Sequence, residues 1–591
     1  MTIQEPSTDW TRFAAAEHAE AELPPLDDNT RYLAAAAHLD RRYADDVVRE
    51  LLVEDTRQVP LTPGLDTATV LTEVVAARTR RKFRDGALGL LTIAFVTTSL
   101  GSTGLGAWLT WAAVLSIKPI WKSARWGRPG SGLFVFGKFL AVFSLLTAAT
   151  LLPLIGELVA WAQSSSSRSA RVSSGTGPFD FADLLPGWFG LDAEVISGSS
   201  ALLMLIILIA DRVVVWQTVR RYFGRRARVP GAVQRPAADR LTLICSPPRL
   251  RRALDRHRVG RVAESPDARV PLVVYRGRNP FVGAGTSVTP WSLALPLERL
   301  GDRDPSAEEA LTTARFYEEV GKAVEELQRH AALSPDERLR DLRVEGMVFA
   351  PAEGLIDRVH EPITKPYLPG VSQPPALYLP TEEAKRIYHR PREWARYYLC
   401  FQVETWNREL VLSAFLHAAV EESTLYIEWT PCVLLPIRQE FRAGDTMTAD
   451  WWRPVWQGVL RWLKLPVTGP GRFWAALKVI RPLPHDGHTL NADRYGSART
   501  LRELGAAEAA RDYFQVVDAE RYTKLLESRL VPAISKVLSD SGYSPASFER
   551  RVAAVTTNNV TIHGGNTGPM VFGGVVEGDV SGGTHTPAPR I

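Results

Sequence analysis

The chain has 591 residues, with 70 Lys and Arg against 65 Asp and Glu, a net charge of +5 and a pI near 9.0. That length accommodates several folding units, and a mean hydropathy of -0.08 suits a mostly soluble chain carrying a few membrane segments. Its three cysteines, Cys245, Cys400 and Cys432, are far apart and odd in number, which argues against a disulfide framework or a zinc site and suits a reducing compartment.

Met1 to Leu23 lacks the apolar core of a signal peptide. Residues 1–85 read as short cytoplasmic helices, because Tyr32–Leu39 and Ala44–Leu52 alternate apolar and charged positions at helical spacing. The breaker Pro60-Leu-Thr-Pro-Gly64 separates them from Thr67–Arg84. The next region, 86–217, carries three apolar runs: Ala87–Ile117, Leu133–Trp161 and Val195–Trp216. Each exceeds the roughly 20 residues a helix needs to cross a bilayer core. The expected fold class is therefore a set of membrane α-helical segments joined to a cytoplasmic α+β domain with an antiparallel sheet.

Orientation follows from flanking cations, which stay on the cytoplasmic side. Arg78, Arg80, Arg81, Lys82 and Arg84 precede the first run, Lys118, Lys122, Arg125 and Arg128 follow it, and Arg220, Arg221, Arg225, Arg226 and Arg228 follow the third. Three simple spans would put the first two clusters on opposite sides. The run Leu100-Gly-Ser-Thr-Gly-Leu-Gly106 offers a turn, so Leu88–Ser99 and Leu105–Ile117 read as a re-entrant hairpin, each arm about 20 Å long. One long tilted span is the alternative. Under the hairpin both soluble ends are cytoplasmic in a multi-pass protein of the cell membrane. Lys138 and Glu157, within the second run, read as side chains snorkelling to opposite interfaces rather than as a transport path.

A basic linker, 218–240, leads to an α+β domain over 241–445. Strands are expected at Val270–Tyr275 and Trp291–Leu297, with Asn279–Gly285 as a loop between them; it lacks the glycine pattern of a dinucleotide or phosphate loop. Ser306-Ala-Glu-Glu309 is a capping box, after which Phe316, Val320, Val324 and Leu327 form an apolar stripe. Trp394–Gln402, Leu410–Leu416 and Thr424–Leu435 read as an antiparallel meander. Within 446–480, Trp451, Trp452, Trp456, Trp462 and Trp474 stand among Arg453, Arg461, Lys464 and Arg472. That combination marks a membrane-interface segment, with Trp451, Trp452 and Trp456 as the interfacial residues; burial against the domain is the other reading. His485 and His488, in a Pro- and Gly-containing loop, are too weak a signal for a metal site. No catalytic constellation and no cofactor motif stands out, and the chain reads as no enzyme. The basic residues near the apolar runs match anionic lipid rather than nucleic acid.

Thr500-Leu-Arg-Glu503 is a second capping box, opening a helical segment through residue 551. The tail, 552–591, changes character: Asn558-Asn-Val-Thr-Ile-His-Gly-Gly-Asn-Thr-Gly-Pro-Met-Val-Phe-Gly-Gly-Val-Val-Glu-Gly-Asp-Val-Ser-Gly-Gly583 alternates short β-branched or apolar stretches with Gly and Asn turns. Such a segment has the makings of stacked cross-β structure. At Asn558, Ile562, Gly564, Asn566, Gly568, Val571, Gly574 and Gly578 it resembles the bacterial amyloid signalling sequences of actinobacterial immune-type receptors. That resemblance implies self-association, either as a homotypic oligomer or with a tail-bearing partner protein. Phe572-Gly573 stands where those motifs usually carry glutamine, and a flexible glycine-rich extension is the alternative. The whole chain also resembles uncharacterised multi-domain membrane proteins of actinobacteria, through Asn279–Gly285 and Arg31–Leu52. The leading expectation is a membrane-anchored signalling or scaffold protein with an amyloid-like recruitment tail; a small channel or transporter subunit built on the hairpin is the alternative.

Overall fold

The computed structural model describes residues 27–99 (less 61, 63 and 64), 105–112 (less 107), 193–225, 245–259, 269–300, 310–447 (less 422), 450–483 and 490–558. In chain order these form helices α1 (Asp28–Leu39), α2 (Arg41–Val47), α3 (Thr67–Thr98) and α4 (Ala193–Phe223), then strands β1 (Arg269–Tyr275), β2 (Thr286–Ser287) and β3 (Trp291–Pro296). Helix α5 (Thr313–Glu325) precedes β4 (Arg343–Pro351), β5 (Tyr378–Pro380), β6 (Arg396–Thr405), β7 (Leu410–Glu421) and β8 (Thr424–Leu434). Helices α6 (Trp452–Leu463), α7 (Leu465–Leu477), α8 (Tyr513–Asp540) and α9 (Ala546–Asn558) follow.

The chain is divided into two interleaved units. One holds residues 1–53, 65–262 and 439–482; the other holds 54–64, 263–438 and 483–591. Of the segments read as 446–480 and 481–551, residues up to 482 are grouped with the first unit and those from 483 with the second.

The first unit is helical. Helix α3 does not begin where the apolar run begins. Asp66 caps it by accepting from the Thr69 N–H, and it continues through the basic cluster to Thr98. Helix α4 supplies the third apolar run and is, among the described residues, the one helix long and apolar enough to cross a membrane. The second run, 133–161, with Lys138 and Glu157, lies outside the described residues. In the first run Phe95 and Trp108 meet edge-on, with ring centroids 5.1 Å apart. Thirteen residues of straight helix would separate them by about 20 Å, so no single straight helix passes through both. Leu88, Phe95, Leu105, Trp108, Met204, Leu208 and Leu465 form one buried cluster. Helix α6 crosses α4 at Gly458, where a Cβ would lie 2.7 Å from the Ile209 backbone.

The second unit is α+β. Its sheet runs β2-β8-β7-β6-β4-β1-β5, with β3 beside the other half of β8. The meander β6-β7-β8 is antiparallel, as the three consecutive strand-like runs separated by polar turns predict, and β7 extends to Glu421. Strand β4 pairs with β1 in parallel, Leu272 opposite Val348, so the sheet is mixed rather than wholly antiparallel. One face packs Leu399, Phe401, Leu412, Ala414 and Trp429 against Phe316 and Val320 of α5 and Leu526, Leu530 and Ile534 of α8. The helix of the predicted stripe opens at Thr312, whose hydroxyl accepts from the Arg315 N–H; Ser306–Glu309 lies outside the described residues. Thr500 and Glu503 do form the predicted capping box. The predicted breaker, Pro60–Gly64, falls in the stretch 54–64 that is grouped with this unit. The Gln58 amide donates to Leu272 O at 2.7 Å and Ala376 O at 2.6 Å and accepts from the Val274 N–H at 2.6 Å.

Two buried histidines are held neutral. In the helical unit Arg80 donates to His38 Nδ1 at 3.3 Å, which leaves Nε2–H to donate to Glu73 at 3.0 Å. In the α+β unit His417 Nδ1–H donates to Tyr397 O at 2.8 Å. Burial lowers the pKa of both. The unfolded forms begin to take protons near pH 6.5, where the folded forms still refuse them. This stability is complete above that pH and declines below it, by at most about 1.4 kcal/mol per pH unit for each histidine. Scanning fluorimetry between pH 7.5 and 5 should therefore show a falling Tm, and His38→Gln and His417→Gln should each flatten part of the slope.

Candidate functional site

Two surfaces carry chemistry, one in each unit. In the helical unit, the apolar part of α3 and α4 faces outward: Leu90 is 68% exposed, Leu202 58%, and Ile93, Leu203 and Ile206 are also exposed, as is Trp111. Charges of the same helices face inward instead. Arg84 bridges α3 to α4, donating to Asp211 Oδ2 at 2.8 Å, and it donates to Asp85 at 2.7 Å. Arg212 donates to Asp211 Oδ2 at 2.8 Å, Arg80 stands 3.6 Å from Asp211 Oδ1, and Arg41 reaches Asp85 at 3.5 Å. Asp85 and Asp211 are buried. Burial of a carboxylate is tolerated when guanidinium groups surround it.

Helices α6 and α7 flank this cluster. Of the predicted interfacial residues, Trp451 is 75% exposed and Trp452 and Trp456 are more than half exposed; Trp474 is exposed too. Trp462 takes the other course, stacking on Trp108 with centroids 5.6 Å apart. The segment thus splits the two sequence readings: one set of tryptophans is on the surface and one is packed inside. Arg453 lies over the Trp452 ring, 5.8 Å from its centroid. Such a row of exposed indoles beside cations is the composition of a membrane–water boundary.

In the α+β unit, the sheet face away from α5 and α8 is only partly covered. The Asn279–Gly285 loop lies on it, and Phe281 stacks on Phe415 with centroids 4.3 Å apart and edge-on to Phe349 and Tyr398. Gly283 and Gly285 both adopt positive φ, and a Cβ at Gly285 would collide with Val433 O. Their N–H groups donate to Glu503 Oε1 at 2.9 and 3.2 Å. The loop does bind an anion, but that anion is the chain's own capping carboxylate.

Beside this plug lies a cleft of about 320 Å³, with Phe349, Phe415 and Met347 among its apolar walls and Arg343, Glu345, Gln402, Glu404, Ser413 and Arg502 among its polar ones. Arg343 stands 4.0 Å from Glu404, which Arg408 also bonds at 2.9 Å. Burial raises the Glu345 carboxyl above its ordinary range, opposed by Arg343. Burial likewise pushes the Cys432 thiol up to about 12 and raises that of Cys400 on the cleft wall, so neither is poised as a thiolate nucleophile. The cleft suits a small molecule with an apolar body and charge-balanced polar ends. On the far side of Phe281, Tyr398 and Tyr426 donate to the two oxygens of Glu428 at 3.0 and 2.8 Å, with Arg396 3.6 Å away. Sequence reasoning missed this cluster because it forms only when Arg396 and Tyr398 of β6 are brought beside Tyr426 and Glu428 of β8.

Of the tail residues, Asn558 ends α9, a helix anchored by the buried Phe548 and Val552. The first residues of the predicted tail, 552–558, are therefore helical. Ile562, Gly564, Asn566, Gly568, Val571, Gly574 and Gly578 lie outside the described residues, as do His485 and His488.

These features define an α+β unit with an open-faced mixed sheet, interleaved in sequence with a helical unit. Residues 290–571 are similar to the family model described as the AbeC-like domain. The match spans β3 to β8 and α5 to α9, so it takes in most of the cleft and also the tryptophan-bearing helices. No curated protein and no solved structure matches the chain.

Proposed function

We propose that this chain is a membrane-anchored signalling or scaffold protein. In this reading the helical unit is seated in the bilayer, and the α+β unit is cytoplasmic and binds a small amphipathic ligand in its sheet-face cleft. The observation that carries it is the inverted surface of α3 and α4, apolar side chains outward and charges inward. In water an exposed patch of Leu90, Ile93, Leu202, Leu203 and Ile206 would be an aggregation liability; in lipid it is matched to its surroundings. The exposed tryptophans of α6 support a boundary at that level.

Substitution separates this reading from a soluble one. Leu202→Asp with Ile206→Asp places two carboxylates at exposed positions, where a soluble protein tolerates change within about 0.5 kcal/mol. In a bilayer each costs about 3 kcal/mol. The full chain should pellet with membranes after alkaline carbonate extraction, and the double variant should move largely to the soluble or degraded fraction. Wild-type protein recovered in the carbonate supernatant would refute the anchor.

The tail is proposed to recruit partners by homotypic β stacking, on the strength of its Asn/Gly/Val composition from residue 559 onward. A Thr557–Gly583 peptide should bind thioflavin and seed its own assembly. If the peptide stays monomeric at high concentration, the recruitment idea fails.

A further inference from the structure

The charged cluster between α3, α4, α6 and α7 is not balanced. Among the described residues it gathers Arg80, Arg84, Arg212, Arg461 and Arg472 around Asp85 and Asp211. Arg84 and Arg212 already serve those carboxylates at hydrogen-bond distance. Arg461 on α6 and Arg472 on α7 have no ion pair among the described residues, and Arg472 leaves Nη1 without an acceptor. Both side chains sit half-buried with part of their surface open. Burial, then the neighbouring Arg212, Arg472 and Arg84, push Arg461 down to about 9, which expresses how poorly its charge is compensated. Half-buried guanidinium groups without an anion are costly, and supplying one relieves both the desolvation and the mutual repulsion.

The cluster also has a defined level along the helices. On α3 the charges stop at Asp85 and the apolar stretch begins at Ala87; on α4 the apolar stretch ends at Ala210 and Asp211 follows. The Arg84–Asp211 bond fixes these two ends side by side. Gly458 of α6 touches α4 at Ile209, so the exposed Trp452 and Trp456 belong to a helix that crosses at this same boundary. From Val195 to Arg212 the helix rises about 25 Å, close to the thickness of a hydrocarbon core. The level of Arg461 and Arg472 is then the level at which lipid phosphates lie.

We infer that Arg461 and Arg472 form a binding site for the phosphate of an anionic membrane lipid, whose acyl chains run along the exposed apolar face of α3 and α4. This inference rests on the membrane reading given under Proposed function. The apolar face selects a lipid over free phosphate as the source of the anion, and the unpaired positive charge selects an anionic headgroup over a zwitterionic one.

The test uses the detergent-solubilised full chain, mixed with equal phosphatidylglycerol and phosphatidylcholine, re-purified, and assayed for retained lipid by mass spectrometry. Wild-type protein should retain phosphatidylglycerol roughly tenfold over phosphatidylcholine, as two charge-assisted hydrogen bonds can supply. Arg461→Gln with Arg472→Gln should bring the ratio to about one, Arg461→Lys with Arg472→Lys should keep most of it, and the exposed pair Lys322→Gln with Lys385→Gln in the α+β unit should leave it unchanged. A wild-type ratio near one overturns the site without reference to any variant's folding. So does inorganic phosphate raising Tm as much as phosphatidylglycerol does. A chain that is monodisperse without detergent refutes the membrane reading itself, an outcome distinct from either.

Discussion

The helical unit turns on one buried carboxylate. Asp211 interrupts an otherwise apolar helix, and an ionised group there is tolerable only if guanidinium groups enclose it. Arg84 supplies that enclosure from α3 and Arg212 from the next position on α4. The pairing fixes the register of the two long helices. Their apolar ends are then forced to lie together, with Leu90 and Leu202 left on the outside. The unit's two-sided character, charge within at one end and apolar side chains outward at the other, follows from where Asp211 must find partners.

The α+β unit is organised by a different device: polar side chains that substitute for missing backbone partners. Gln58 serves the backbone at Leu272, Val274 and Ala376, tying a distant connector into the sheet. Glu503 does the same for Gly283 and Gly285 while completing its own helix cap. That second contact holds the Phe281 plug against Phe415 and leaves the neighbouring cleft open. The cleft is thus a consequence of how one loop is pinned rather than of any gap in the sheet.

Much of the sheet was legible because its signals are local. The consecutive runs of β6, β7 and β8 with polar turns between them and the β-branched run at Val270–Tyr275 appear in the sequence as they do in the fold, and so does the Thr500–Glu503 cap. Strand β4 went unread: Gly346, packed under the Tyr397 ring, breaks its apolar alternation, and its parallel pairing with β1 spans a long crossover that no local pattern encodes. The return of 54–64 and of 439–482 to units begun elsewhere was equally hidden, since each depends on contacts hundreds of residues apart. The tryptophan segment was recognised by composition, and Trp451, Trp452 and Trp456, named from it, are exposed, whereas the stacking of Trp462 on Trp108 depends on a contact far away in the sequence. Arg84 reads in the sequence as a flanking charge and Arg461 and Arg472 as cations of the tryptophan segment; their gathering around Asp211 depends on contacts far apart in the chain.

We propose that the outward face of α4 lies in hydrocarbon. A fluorophore on a single cysteine at Leu202, in a chain whose exposed Cys245 is serine, reports that directly, since Cys400 and Cys432 are buried. A second label at the exposed Glu318 of α5 serves as the aqueous reference. In reconstituted vesicles the account predicts quenching of the Leu202 label by a nitroxide on the lipid acyl chain and protection from iodide, with the reverse at Glu318. Equal iodide quenching at both positions, with no effect of the lipid nitroxide, would contradict it.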